Sequence, residues 1–318
     1  MLIQLGPIFL KLFKMSYKIF VFFFALSLFW PGHHSSAQQQ QKLLVSMEYW
    51  TPAQKQFLKD NRLANVTVIY EKYFVDDNSR FNRQRFQRTI DAVLPDKNQS
   101  GYAVLDWEGE SFIKLIGDKK TTPQEYNQIQ NEFIEAITCA KQIRPNIKWS
   151  FFGFNPSAYP YADHRLKLQT EKMSPLLSHL DFFAPALYIQ DEINGENNPQ
   201  NIRFIYSNLK NTILLNKTNK EIFPFIWHRY HNTEENNYLI GDEGFKWYIS
   251  KILSTEINSR KVTGVIWWNS ESYLAEKKNK SKTLQQEFNR QSKNANYQYH
   301  LLAHYYRILR SAFQTPNE

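Results

Sequence analysis

Cysteine is almost absent: Cys139 is the only one in 318 residues. No intramolecular disulfide can form, which excludes a small disulfide-stapled scaffold. Glycine and proline number 10 and 13, too few for a collagen-like or low-complexity chain. No glycine-rich loop follows any apolar run, so the dinucleotide-binding fingerprint and the phosphate-binding P-loop are both missing. Histidine and acidic residues do not fall at metal-ligand spacing, and neither a metal nor another cofactor is expected. The Arg-rich, aromatic-interleaved organisation of a nucleic-acid module is lacking too, so nucleic acid is not an expected partner. Nothing in the sequence calls for an obligate protein partner.

Aromatic residues are abundant, with 18 Tyr, 24 Phe and 8 Trp. The N-terminus reads as a secretory leader. Lys18 supplies a positive start, an apolar run covers residues 19–30, and Ser35-Ser36-Ala37 offers a small-residue cleavage site. The run is shorter than the roughly 20 residues a spanning helix needs. The expected organisation is a signal peptide over 1–37, cleaved near Ala37, and one domain over 38–318. Residues 38–41 read as a polar tether, and the mature protein as secreted or periplasmic. A large core without bridges suits a bacterial exterior, and Cys139 sits in a helical apolar pattern as a small core residue. The formal charge is +9. Lys11, Lys14 and Lys18 of the leader account for three of these, leaving +6 on the mature chain. Such a balance steers polyanions toward the surface, although it equally describes a basic surface kept soluble by its charge.

Seven apolar, β-branched or aromatic runs recur along the chain, at 43–50, 66–70, 102–107, 149–154, 182–188, 222–227 and 262–268. Helical periodicity fills the spaces between them. The clearest helix opens at Thr122-Pro123-Gln124-Glu125, a capping-box arrangement with proline at the first helical position. Its stripe is Ile129, Phe133, Ile137 and Ala140, and Arg144-Pro145 ends it. The repetition predicts an α/β fold with parallel strands and crossover helices, a distorted (β/α) TIM-type barrel of seven or eight strands. A charged loop at 277–282 and an amphipathic C-terminal helix at 297–313 complete it.

Barrel active sites form at the C-terminal ends of the strands. The third run ends Val104-Leu105-Asp106-Trp107-Glu108. Residues two apart on a strand share a face, so Asp106 and Glu108 form a carboxylate pair at the barrel mouth. Crowded like charges raise one pKa, and a carboxyl kept protonated is what a glycosidase acid requires. An Asp-x-Glu triplet alone is common, and solvated strand-end acids are the plainer interpretation. Aromatics end the other runs: Phe152, Tyr188, Trp227 with Arg229 and Tyr230, and Trp268. Rings at strand ends stack on sugar faces, though most of the 24 Phe must simply fill the core.

These segments, taken in order, resemble the hyaluronidase family of glycoside hydrolases. Ala103 to Glu108 is similar to the apolar run ending Asp-Trp-Glu. Ile143-Arg144-Pro145 followed by Trp149-Ser150-Phe151-Phe152-Gly153-Phe154 is similar to a Leu-Arg-Pro helix end and its Trp-x-Phe-Tyr-x-Phe strand. Ala184-Pro185-Ala186-Leu187-Tyr188 and Gly264-Val265-Ile266-Trp267-Trp268 resemble two further strands, and Trp50-Thr51-Pro52-Ala53-Gln54 and Thr67-Val68-Ile69-Tyr70-Glu71 agree more loosely. The resemblance runs from about residue 43 to 275. It implies cleavage of an N-acetylhexosaminidic polysaccharide by substrate-assisted, retaining catalysis. It makes Glu108 the acid/base and Asp106 its partner on the acetamido group. Tyr188 becomes a hydrogen-bond donor to that group and Trp268 the pocket wall. The implied substrate is a glycosaminoglycan-type polymer, and Arg229 is a candidate to meet its carboxylate.

The chain also departs from the family. Phe152 stands where the family has Tyr, Gly109-Glu110-Ser111-Phe112 replaces a Trp-Arg-Pro segment, and Asn155-Pro156-Ser157-Ala158-Tyr159 replaces an Asp-Cys-Tyr-Asn stretch. The family's paired cysteines are missing. Two other readings remain: a glycan-binding barrel without turnover, and a chitinase-like acetamido-assisted hydrolase. The chitinase motif expects aspartates where Val104 and Gly101 stand.

Overall fold

The computed structural model describes residues 40–47, 51–159, 164–192, 198–231, 237–269, 271, 286, 289 and 297–314. The leader, Trp50 and the charged stretch 277–282 lie outside the described residues. Among the described residues no helix is long and apolar enough to cross a membrane.

All seven runs form strand. They are β1 (Lys42–Ser46), β2 (Ala64–Tyr70), β3 (Gly101–Asp106), β4 (Ile147–Phe151), β5 (Phe182–Phe183), a sixth run made of β6 (Glu221–Ile222) and β7 (Phe225–Ile226), and β8 (Gly264–Trp268). A parallel six-stranded sheet has the order β4-β3-β2-β1-β8-β7, and β5 pairs with β6. Single parallel bridges, Phe152 to Ala184 and Ala186 to Phe225, link the two pieces into a curled ring. The interruptions fall at Pro185 and Pro224. A proline has no N–H for a ladder, but its carbonyl still accepts. Phe225 N–H donates to the Pro185 carbonyl at 2.8 Å, and Ile266 N–H to the Pro224 carbonyl at 2.9 Å. Gly264 is required by close approach, since a Cβ there would lie 1.8 Å from the Lys42 carbonyl oxygen.

The helices are α1 (Pro52–Asp60), α2 (Arg83–Val93), α3 (Glu110–Leu115), α4 (Pro123–Ile143), α5 (His164–Glu171), α6 (Ser174–His179), α7 (Pro199–Leu215), α8 (Asp242–Ser254) and α9 (Tyr297–Gln314). In α4, Thr122 caps the Glu125 N–H and Arg144 ends the helix, as the sequence predicts. The box is only half formed, because the Glu125 carboxylate instead takes Lys114 at 2.6 Å and Thr121 at 2.7 Å. The stripe Ile129, Phe133, Ile137 and Ala140 is buried, and so is Cys139. The tether is shorter than the sequence predicts: the Gln41 amide is bound to the carbonyls of Leu253 and Val262.

The period of two along each strand sorts the side chains into two cores. Odd positions such as Val45, Ile69, Leu105, Trp149 and Trp267 face the helices, within the larger cluster. Even positions fill the barrel, Leu44, Val66, Val104, Phe182 and Ile266, except in the sixth run, where the parity is reversed and Phe223 and Phe225 point inward. Charge closes the N-terminal end of the barrel. Glu221 accepts from Lys42 at 2.8 Å, Lys148 at 2.7 Å and the Tyr102 hydroxyl at 2.9 Å. Following the same parity upward brings Asp106, Phe152, Tyr188 and Trp268 to the opposite rim.

Candidate active site

Asp106 is the last residue of β3, in register with Tyr70, the last of β2. Trp107 turns outward, is 1% exposed, and lies flat on Phe133 with ring centroids 4.1 Å apart. That anchor holds the outward side of the Asp106-Trp107-Glu108 turn while the two acids remain on the inward side. Glu108 is accessible to solvent, as expected at a concave mouth. Burial among the surrounding walls nonetheless pushes its carboxyl above the ordinary value, and the negative charge of Glu71 adds to the effect. The sequence predicts Asp106 as the charge that biases the Glu108 proton. The structure adds a second carboxylate, Glu71, which follows β2.

Tyr188 faces the pair from the segment beyond β5. Burial raises its hydroxyl far above the usual range, and the charges of Asp106 and Glu108 act in the same direction, so it stays a neutral donor. The backbone around it is held on several sides. Asn155 forms two amide hydrogen bonds with Ala186, one of them donated by the Ala186 N–H at 2.6 Å. Leu187 N–H donates to Phe225 at 2.9 Å, and His231 N–H to Ile189 at 2.7 Å. The Asn155 loop, which departs from the family pattern, therefore carries out the pairing that Pro185 interrupts.

Trp268 ends β8 and stacks on Tyr188 at 5.7 Å with planes 26° apart. Phe152 packs at 5.9 Å from Tyr188 and 5.0 Å from Phe225. The mouth thus gathers Asp106, Glu108, Tyr188, Trp268 and Phe152. Trp227 belongs to the same cluster, 4.8 Å from Trp268, but it is fully buried and backs the wall from behind.

Arg229 and Tyr230 require a correction. Arg229 is fully buried, and its guanidinium already holds a carboxylate of this chain: Nε to Glu271 Oε1 at 3.1 Å and Nη2 to Oε2 at 2.8 Å. A third bond reaches the Asn237 carbonyl at 2.8 Å. Buried His228 completes the network, with Nε2 2.9 Å from Glu271 and Nδ1 accepting from the Trp267 indole at 3.1 Å. Burial alone would raise the Glu271 carboxyl, but the Arg229 charge and the His228 hydrogen bond outweigh it and bring it to about 2. Tyr230 is buried in the outer core. Neither residue faces the mouth. Arg229 ties the β7 end to Glu271, just beyond β8. Among the described residues no group of three or more His, Cys, Asp or Glu side chains could hold a metal ion.

The fold and site define a (β/α) barrel with an acidic, aromatic-walled mouth. No family model matches the chain. It is 20% identical over 195 residues to a hyaluronidase of Polybia paulista, covering 48% of this chain and 65% of that protein, just under two thirds. It is 22% identical over 234 residues to a hyaluronidase of Dolichovespula maculata, covering 62% of this chain and 68% of that one. The solved structure of bee venom hyaluronidase superposes with a TM-score of 0.54 at 14% identity, over 80% of this chain and 98% of that one. The same protein in complex with a hyaluronic acid tetramer also gives 0.54. The chain is a divergent relative of the hyaluronidases.

Proposed function

We propose that this chain is a hyaluronidase-like glycoside hydrolase that cuts N-acetylhexosaminidic bonds of a glycosaminoglycan-type polysaccharide. The observation that carries the reading is the convergence of Asp106, Glu108, Tyr188 and Trp268 on one inward rim, with the Glu108 carboxyl biased toward its protonated form. In this mechanism Glu108 gives its proton to the glycosidic oxygen as the anomeric carbon–oxygen bond breaks. The substrate's acetamido carbonyl oxygen attacks the anomeric carbon, so no second protein carboxylate is needed as nucleophile. Asp106 accepts the acetamido N–H, Tyr188 donates to its carbonyl oxygen, and Trp268 walls its methyl group. Glu108 then takes a proton from the water that opens the intermediate, and configuration is retained. The network around Arg229 leaves recognition of any uronate to other groups.

We assign residues 1–37 as a cleaved leader and 38–318 as the mature domain, which places the protein outside the cytoplasm. N-terminal sequencing of the exported protein checks this, and a mature start far from Gln38 overturns it. The hydrolase reading is tested by reducing-end release from hyaluronan and chondroitin, with Glu108→Gln run alongside. Loss of at least about 100-fold in the variant is expected. Equal rates in the two proteins would refute the role of Glu108. A second reading, glycan binding without turnover, draws on Phe152, which lacks the family hydroxyl. Retained polymer binding without any cleavage by the wild type would favour it.

A further inference from the structure

Glu71 has no role in the scheme above, yet it lies against the catalytic turn. It opens the short 3₁₀ turn Glu71–Tyr73 at the end of β2, immediately after the Tyr70–Asp106 pair. Its Oε2 accepts the Gly109 N–H at 2.6 Å. Gly109 directly follows Glu108 and is the N-cap of α3. The glycine at that position is a matter of space, not of backbone conformation: its φ is −68°. A Cβ there would stand 2.8 Å from Glu71 Oε2 and 3.2 Å from Oε1. The family places a bulky segment after Asp-Trp-Glu. In this chain the volume at Gly109 is occupied by a carboxylate arriving from the neighbouring strand.

We propose that Glu71 is the positioning residue for Glu108: its carboxylate fills the space at Gly109 and pins the Gly109 N–H, fixing the turn that carries Glu108. The inference rests on the reading of Glu108 as acid/base. Asp106 from the same strand end, Tyr70 from β2 and Tyr188 from beyond β5 share this rim, while the residue after β4 is Phe152, which has no charge. Glu110, on α3, is occupied by Lys114 at 2.7 Å and Lys119 at 2.9 Å. Glu71 is therefore the neighbouring strand's charge on Glu108, and the direction of the Glu108 shift agrees with it.

The test uses the full mature chain. Glu71→Gln keeps an oxygen for the Gly109 N–H and removes the charge. The alkaline limb of kcat/KM, which reports loss of the Glu108 proton, is expected to move down by at least about half a pH unit. Glu71→Ala removes the anchor as well and is expected to lower kcat more than it changes KM. A 13C titration of the Glu108 carboxyl, assigned by comparison with Glu108→Gln, reads the same proton without substrate. A midpoint unmoved by Glu71→Gln overturns the inference. If instead Glu108→Gln keeps full activity, the acid/base reading fails. The titration still decides whether Glu71 holds the proton on Glu108.

Discussion

Arg229→Met leaves the Glu271 carboxylate in a protein interior without its counter-charge. The wild-type pair is nearly inaccessible, with Arg229 at 0% and Glu271 at 5% exposure, and two hydrogen bonds join the guanidinium to the carboxylate. With Glu271 held at about 2, against roughly 4.3 in an unfolded chain, the charged form gains about 3 kcal/mol on folding at neutral pH. Breaking a buried pair by removing one partner costs about 3–5 kcal/mol, in agreement with that figure. At roughly 2–4 °C per kcal/mol for a domain of this size, the midpoint of thermal unfolding should fall by about 10 °C. Because the folded-state pKa is depressed, the contribution is present above the unfolded pKa and is lost as pH falls toward 2. Wild type and variant should therefore converge as the solution is acidified below about pH 4. Arg229→Met/Glu271→Gln retains an acceptor for His228 and removes the stranded charge, and should recover most of the loss. Differential scanning calorimetry across pH is the assay. An Arg229→Met midpoint within about 2 °C of wild type, with a raised KM for an anionic polymer, would refute the structural role and return Arg229 to the substrate.

Three further outcomes are expected. Glu108→Gln should be more stable than wild type at pH 7, because a carboxyl whose folded-state pKa is raised costs stability as pH climbs through it; the difference should vanish at low pH, and urea midpoints at two pH values check it. Phe152→Tyr restores the family hydroxyl beside Tyr188 and should raise kcat/KM on hyaluronan by about 2- to 10-fold, the worth of one hydrogen bond. No change on any acetamido polymer would separate the missing hydroxyl from specificity. Glu221→Gln should cost about 1 kcal/mol at neutral pH, a modest figure because Lys42 and Lys148 are largely exposed. Burial opposes the charged Glu221, but the bonds from Lys148, Lys42 and Tyr102 prevail and lower its pKa, so this loss too should fade in acid.

How much of this was legible in the sequence follows from the reach of each interaction. The seven runs were readable because strand burial is a local property of β-branched and aromatic stretches. Parity then carried Asp106 and Glu108 to one face without any knowledge of the fold. The breaks at Pro185 and Pro224 were readable in principle, since proline never donates, but the acceptance by their carbonyls depends on which strands become neighbours. Arg229 shows the limit. Its partner Glu271 lies 42 residues onward, and a basic residue after a strand looks the same whether it faces solvent or an ion pair. Parity pointed the wrong way, because inward Phe223 and Phe225 make Arg229 inward too, yet the chain leaves the strand at Ile226 and the alternation lapses. Glu71 escaped notice for the same reason. It stands one residue past inward-facing Tyr70 and so counts as outward, until the 3₁₀ turn at Glu71–Tyr73 swings it back under Gly109. The signal that could have found it is glycine itself. A residue with room for no side chain, directly after the proposed acid, marks a place that some other group must occupy.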